Sequence, residues 1–410
     1  MIEKLLPGKR PEVALRAREI RRVRVEEALK SVTIGLCRRC RSTPLERISI
    51  VQDFTGGGIH ALPSRTTRST GDADFDRKVK ELVGEWAGVE KNAGLIEELI
   101  ITALKMAKDG VALADLKLFN RSLREMRNAT RVFAPYRSKQ KVVVFGSART
   151  ASTEVEYQAA EVFAQKMRDL EYMIITGGGD GIMGAAQKGA GRESSFGLNI
   201  RLPFEQRANE TIDGDRKLIN FNYFFTRKLH FVKESHAVAL FPGGFGTMDE
   251  AFEVLTLMQT GKARILPVVM IDKPNGTYWH TWNSFLAEYL LKLGLISGED
   301  FNLFKVTDDV DMAIAEIQQF YRNFISYRWV DQRLVLRMRH ALTDAALDDI
   351  REAFKDIIGE NQLEQTVALP EEHNEPDLEG MPRLVFVPAK KNFGRLRVLI
   401  DAVNTAPLAN

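Results

Sequence analysis

Ala237-Val238-Ala239-Leu240-Phe241-Pro242-Gly243-Gly244-Phe245-Gly246-Thr247-Met248-Asp249-Glu250 is the stretch whose reading decides the fold. Five uninterrupted apolar residues closed by Pro-Gly predict a strand covered on both faces. Met248, Phe252, Leu255 and Met258 then recur at helical spacing, with Gly261 just past the last of them, which predicts an amphipathic helix. Between the two, glycines remove the side chains that would cover the amide N–H groups of the helix start, an arrangement suited to phosphate. A purely structural reading uses the same residues. Thr247 and Glu250 have the spacing of a capping box, in which Glu250 bonds back to the main chain at Thr247.

Outward from this stretch, apolar runs and helical stripes alternate. Lys141–Phe145 predicts a buried strand, followed by Gly146-Ser147-Ala148-Arg149 and a helix capped at Thr153 with Glu156 three residues on. Tyr172–Ile175, Ser195–Ile200, Leu218–Phe221 and Leu266–Ile271 predict further strands, and Phe224–Glu234 a helix carrying Arg227 and Lys228. Strands and helices at this spacing predict a parallel Rossmann-like sheet with right-handed crossovers, an α/β fold. Helices are expected at Trp279–Gly294 and Met312–Phe324. Beyond Tyr327, strands at Leu334–Leu336 and Leu384–Val387, a helix from a Thr343 cap to Ile358, an acidic loop at Glu371–Asp377 and a helix at Phe393–Val403 predict a small α/β appendage.

Upstream, a helix is expected over Glu12–Ser31 and a linker over Thr55–Asp74. Stripes on Phe75–Trp86, Leu95–Ala107 and Leu116–Phe133 predict a helical layer packed on the sheet domain C-terminal to it. The expected divisions are a basic arm and linker over 1–74, a helical region over 75–138, a nucleotide-binding domain over 139–325 and a C-terminal domain over 326–410.

The 410 residues are 44% apolar, the balance of a soluble globular chain with room for several domains. An apolar run of about 18 residues, the length a spanning helix needs, is missing, and the first residues lack the core of a secretory signal, so a cytoplasmic location is expected. The formal charge of +3 conceals 13 Lys/Arg against 6 Asp/Glu in the first fifty residues. Those charges alternate with Leu, Val and Glu as on a solvated helix face, which argues against nucleic acid as a partner. Cys37 and Cys40 have half a zinc motif but no second pair or His at metal spacing, so they read as ordinary thiols.

In open α/β sheets ligands sit beyond the carboxyl ends of the strands, where each glycine loop falls, so the loops are expected to converge on a phosphorylated ligand. Gly179-Asp180-Gly181-Ile182-Met183-Gly184 also fits the dinucleotide fingerprint, with Arg201 after the next strand placed for the 2′-phosphate of NADP. That pattern follows the second strand instead of the first.

The motif Pro242-Gly243-Gly244-x-Gly246-Thr247-x-x-Glu250 resembles the signature of the "lonely guy" (LOG) family, nucleoside 5′-monophosphate phosphoribohydrolases long labelled lysine decarboxylases. Gly146-Ser147, Thr176-Gly177-Gly178-Gly179-x-Gly181-Ile182-Met183 and Arg227-Lys228 resemble its other hallmarks, in the same order and in the form of the longer bacterial relatives. The resemblance spans roughly Lys141 to Asp308. It implies hydrolysis of a nucleoside monophosphate to base and ribose 5-phosphate with no metal or organic cofactor, by a homodimer or higher homo-oligomer.

It also implies roles. Arg227 and Glu250 form the catalytic pair, while Gly146, Ser147, Gly178, Gly179, Asp180, Gly181, Lys228, Pro242, Gly243, Gly244, Gly246 and Thr247 bind substrate. A carboxylate suits the chemistry, because glycosidic cleavage builds positive charge on the ribose and needs an oriented water. Burial that raises its pKa would fit Glu250 to act as general base. Asp249 is expected to point elsewhere and favour the helix dipole. The old decarboxylase label would need a pyridoxal phosphate lysine, for which Lys228 is the one lysine near the motifs. A nucleotide sensor without turnover uses the same loops.

Overall fold

The computed structural model describes residues 69–87, 92–202, 207–359, 363–372 and 376–409. The basic arm, the helix expected over Glu12–Ser31, Cys37, Cys40 and most of the linker Thr55–Asp74 lie outside the described residues.

Among the described residues three helices come first: α1 (Ala73–Ala87), α2 (Ala93–Lys108) and α3 (Leu113–Phe133). The first two pack on each other and bury Val79, Val83 and Ile101. The expected layer forms only in part. The C-terminal half of α3 sends Ala129 and Phe133 into the main core, whereas Leu82, Leu99 and Phe119 stay exposed, as does Trp86 at 90%.

The chain then alternates β1 (Lys141–Phe145), α4 (Val155–Asp169), β2 (Met173–Thr176), α5 (Ile182–Ala190), β3 (Ser195–Ile200), β4 (Leu218–Phe221), α6 (Phe224–Glu234), β5 (Ala237–Leu240), α7 (Phe245–Gln259), β6 (Val268–Ile271), α8 (Tyr278–Phe285), β7 (Lys305–Thr307) and α9 (Val310–Phe320). All seven strands are parallel, in the order β4-β3-β2-β1-β5-β6-β7. The fold is therefore α/β and Rossmann-like, as the alternation predicted.

Period-two side chains explain why the strands read as continuous apolar runs. Val143, Phe145, Val238 and Leu240 join one core with α7 and α8, while Val142, Val144, Ala237 and Ala239 join another with α4, α5 and α9. The order in which the chain adds strands switches from one side of the sheet to the other between β1 and β5, whose ends are level because Phe145 pairs with Leu240. That switch point is where a crevice opens beyond the strands.

Beyond α9 lie β8 (Phe324–Val330), β9 (Arg333–Met338), α10 (Asp344–Ala353), α11 (Lys355–Ile358), β10 (Glu364–Thr366), β11 (Arg383–Phe386) and α12 (Phe393–Thr405). The strands form an antiparallel sheet, β10-β11-β9-β8, over a separate core containing Leu336, Leu384, Leu399 and Phe354. Thr343 caps α10 as expected, its hydroxyl accepting from the Ala346 N–H at 3.2 Å. Thr153 does not cap α4, which starts at Val155 with Glu154 before it and has no side-chain cap. The helix expected to reach Phe324 stops at Phe320, and Phe324 begins β8.

Helices α4 and α5 touch backbone to backbone: a Cβ on Gly189 would stand 2.0 Å from the Glu161 carbonyl oxygen, whereas one on Gly184 would meet nothing nearer than 3.6 Å. Gly189→Ala is expected to cost about 2 kcal/mol or more by forcing the helices apart. Gly184→Ala, free of that clash, changes stability by less than about 1 kcal/mol. Urea denaturation of the two variants checks the contrast.

Candidate active site

Three loops meet at the switch point because the Ser147 main chain joins them. Its N–H donates to the Pro242 carbonyl at 3.1 Å, and its carbonyl accepts from the Ile182 N–H at 3.0 Å. The contact needs glycine on either side. A Cβ on Gly146 would lie 2.6 Å from the Ile182 side chain, and one on Gly181, whose φ is 63°, 2.3 Å from the Ser147 oxygen. A Cβ on Gly243 would stand 2.1 Å from the Thr247 hydroxyl.

The loops enclose a cavity of about 730 Å³. Gly146, Ser147, Gly243, Gly244, Gly246 and Thr247 line it, together with Arg227 and Glu250. Of the second glycine loop only Gly177 and Met183, at its two ends, reach the cavity. Gly178, Gly179, Asp180 and Gly181 do not. Gly178 has a φ of 80°, Asn209 Nδ2 donates to the Gly178 and Gly179 carbonyls at 3.1 and 2.9 Å, and Asp180 is exposed. These glycines serve loop packing. Pro242 contributes its carbonyl to Ser147 and does not line the cavity. Arg201, placed for a dinucleotide phosphate in the alternative reading, is exposed past β3 and does not line it either.

The end of the cavity that would suit an anion is set by where α7 starts. Its N-cap is Gly244, three residues before Thr247, so Thr247 and Glu250 are not at capping-box positions. The first intrahelical bond runs from Met248 N–H to the Gly244 carbonyl at 3.1 Å. That leaves the amides of Phe245, Gly246 and Thr247 at the positive end of the helix without intrahelical partners, on residues that line the cavity.

Glu250 lies on the next turn of α7 and is 4% exposed. One carboxylate oxygen is 3.7 Å from an Arg227 Nη2, too far for a hydrogen bond, and the other has no hydrogen-bond partner among the described residues. Burial raises its pKa from 4.5 to about 7, against the opposing pull of Lys228 and Arg227. Arg227 is lowered by burial, with Glu250 acting the other way. Its guanidinium lies over the Phe224 and Phe231 rings at 5.0 and 5.4 Å, one helical turn to either side. The start of α6 is set by Glu125 on α3, which accepts from Asn222 N–H at 3.0 Å and from the Thr226 hydroxyl at 2.7 Å.

Lys228 is a correction. The next residue along a helix faces about 100° away. Lys228 therefore leaves the cavity and pairs with Asp249 at 3.0 Å and Glu253 at 2.7 Å in a separate depression. Asp249, expected to point away from the site, is its surface partner.

Sequence reasoning passed over Arg149, which lines the cavity two residues past Ser147 and has no ion pair among the described residues. Its amide donates to the Ser147 hydroxyl at 3.0 Å. It also passed over Phe145, Phe231, Phe245 and Met248, which with Met183 form an apolar wall. A charge two residues past Gly-Ser at the end of a central strand, and aromatics three and four residues from Arg227, were the available signals.

Residues 183–317 match the family model described as possible lysine decarboxylase. This is the older label of the family that the motifs resemble, and the match covers about a third of the chain, including Arg227 and the Pro242–Glu250 motif. No curated protein matches the chain. Among solved structures it is similar to the molybdenum cofactor carrier protein of Chlamydomonas reinhardtii, at 23% identity over 44% of this chain and 97% of that one, with a TM-score of 0.32. The molybdenum cofactor binding protein of the phototrophic bacterium Rippkaea orientalis is similar at 19% identity over 44% and 96%, TM-score 0.32. DNA processing protein A of Helicobacter pylori is similar at 14% over 43% and 79%, TM-score 0.29. None of these likenesses bears on the ligand.

The decarboxylase description would call for a lysine amine in the cavity to hold pyridoxal phosphate. The described lining residues include none, and Lys228 is engaged elsewhere, so the residues present do not fit that cofactor.

Because the folded-state pKa of Glu250 lies above its ordinary value, protonation favours the folded state. The cost of ionising it is absent below the ordinary carboxylate range and complete above about 7. Glu250→Gln is therefore expected to stabilise the protein by on the order of 3 kcal/mol at about pH 8, with the gain vanishing towards about pH 4. Chemical denaturation at the two pH values reads this directly.

Proposed function

We propose that this protein hydrolyses the N-glycosidic bond of nucleoside 5′-monophosphates, releasing free base and ribose 5-phosphate. The observation that carries the reading is Glu250: a buried carboxylate with a raised pKa and an unpartnered oxygen, in the cavity that the open amides of α7 also line. A site that binds phosphate alone has no use for such a group, whose ionised form costs folding energy.

In this mechanism the amides of Phe245, Gly246 and Thr247 hold the 5′-phosphate, helped by the Arg149 charge. The apolar wall takes the base. Glu250 accepts a proton from a water as its oxygen bonds to C1′, while the C1′–N bond breaks and its electron pair leaves with the base, which solvent protonates. The carboxylate also stabilises positive charge growing on the ribose. Arg227, its side chain 14% exposed and flanked by two aromatic rings, keeps Glu250 aimed and favours its ionised form.

On this reading the chemistry resides in residues 139–325, and 326–410 form an accessory domain. Exposed Phe224 and Phe225 beside the Lys228 cluster favour a homodimer through α6 and α7, which sedimentation would test. No helix of the described residues is long and apolar enough to cross a membrane, and we place the protein in the cytoplasm.

Incubation with a panel of nucleoside monophosphates, with base and ribose 5-phosphate read by chromatography, is the direct test; absence of both products rejects the proposal. Glu250→Ala and Arg227→Ala should each lower kcat by about a hundredfold or more at unchanged fold. Because the base must be ionised, kcat should rise with pH through about 7 and level off; a fall across that range would make Glu250 an acid. Lys228→Ala should keep the plateau rate within about threefold but move the midpoint to higher pH, since one of the charges that lower the Glu250 pKa is gone.

A further inference from the structure

The backbone of the phosphate cradle has few side chains to hold it. Around Gly244, nothing lies within 4 Å of where a Cβ would stand, so on that side no neighbour packs against it. The Pro242 carbonyl is taken by Ser147. The Gly243 carbonyl accepts from the phenol of Tyr278, which reaches across from the first turn of α8, beyond the neighbouring strand β6.

Tyr278 is itself well anchored. Its ring packs edge-on against that of Trp279, with centroids 4.9 Å apart. Trp279 is fully buried, and its main-chain N–H donates to Asp272 at 3.2 Å, a buried carboxylate directly after β6. The hydroxyl is thus fixed by the sheet and not by the loop it touches.

A peptide unit is planar and trans, so the Gly243 carbonyl and the Gly244 N–H point in opposite directions. A carbonyl drawn towards Tyr278 turns the Gly244 N–H away from it, and Gly244 lines the cavity. We propose that Tyr278 is a positioning residue for the phosphate cradle: its hydroxyl holds the Gly243–Gly244 peptide so that it presents an N–H, and not a carbonyl oxygen, to the phosphate of the substrate. This rests on the phosphate-binding half of the function proposed above. Glycine on both sides of that peptide makes the opposite orientation sterically accessible, so a tether is needed.

The test titrates the wild type and Tyr278→Phe calorimetrically with ribose 5-phosphate, alongside AMP hydrolysis and thermal midpoints. Phe keeps the ring on Trp279 and removes only the donor. The expected result is ribose 5-phosphate bound about tenfold more weakly and KM for AMP raised by a similar factor, with kcat within about twofold and the midpoint within a few degrees. Unchanged ribose 5-phosphate affinity in the variant, or a lower kcat with KM untouched, overturns the proposal. So does a wild type that fails to bind ribose 5-phosphate. A wild type that binds it without cleaving any nucleoside monophosphate of the panel refutes the hydrolase, while the affinity ratio still decides the role of Tyr278.

Discussion

The crossing of main chain at Ser147 is the constraint on which the site depends. One residue gives its N–H to the loop after β5 and its carbonyl to the loop after β2, and neither bond forms unless glycine stands where a side chain would collide. The parallel sheet brings the three strand ends to one crevice, but it does not by itself set the spacing of the loops. Ser147 does, and the first turn of α7 is thereby left open on the cavity side.

Against this scaffold stands a group the fold would do better without. Glu250 is buried with one oxygen unpartnered among the described residues and its Arg227 neighbour beyond hydrogen-bond range, so each charge offsets the burial of the other only in part. Two aromatic rings bracket Arg227, Glu125 fixes the start of its helix, and Lys228 spends its charge on Asp249 and Glu253 behind the site. A poorly compensated carboxylate beside the open first turn of a helix is what separates this crevice from a packed turn.

Much of the parallel sheet was legible because its strands are apolar runs punctuated by glycine, and burial on both faces leaves that trace. The edge strand Lys305–Thr307 was not, since three residues with one buried polar member carry no period. Phe324–Val330 mixes Ser, Tyr, Arg and Trp, because only one face of the antiparallel sheet packs on the larger core, and it read as a change of pattern without a named strand. The stripes on α1 and α2 promised contact with the rest of the chain, yet those helices bury apolar residues chiefly on each other. In the site, motif resemblance brought Arg227, Glu250 and the α7 loop to one cavity, but adjacency in sequence misled for Lys228. Arg149 and Tyr278 depend on sheet order, which a single residue in a loop or first turn does not announce.

Gly261, just past the C-terminal end of α7, has a φ of 68° and no room for a side chain, because a Cβ there would fall 2.1 Å from the ring of Phe393 at the start of α12. A helix of 15 residues is a stiff rod about 22 Å long. This rod carries the Glu250 carboxylate on its second turn, and its far end is packed against α12. The C-terminal region therefore ties down the end of the helix opposite the cavity, and a side chain at 261 would disturb both.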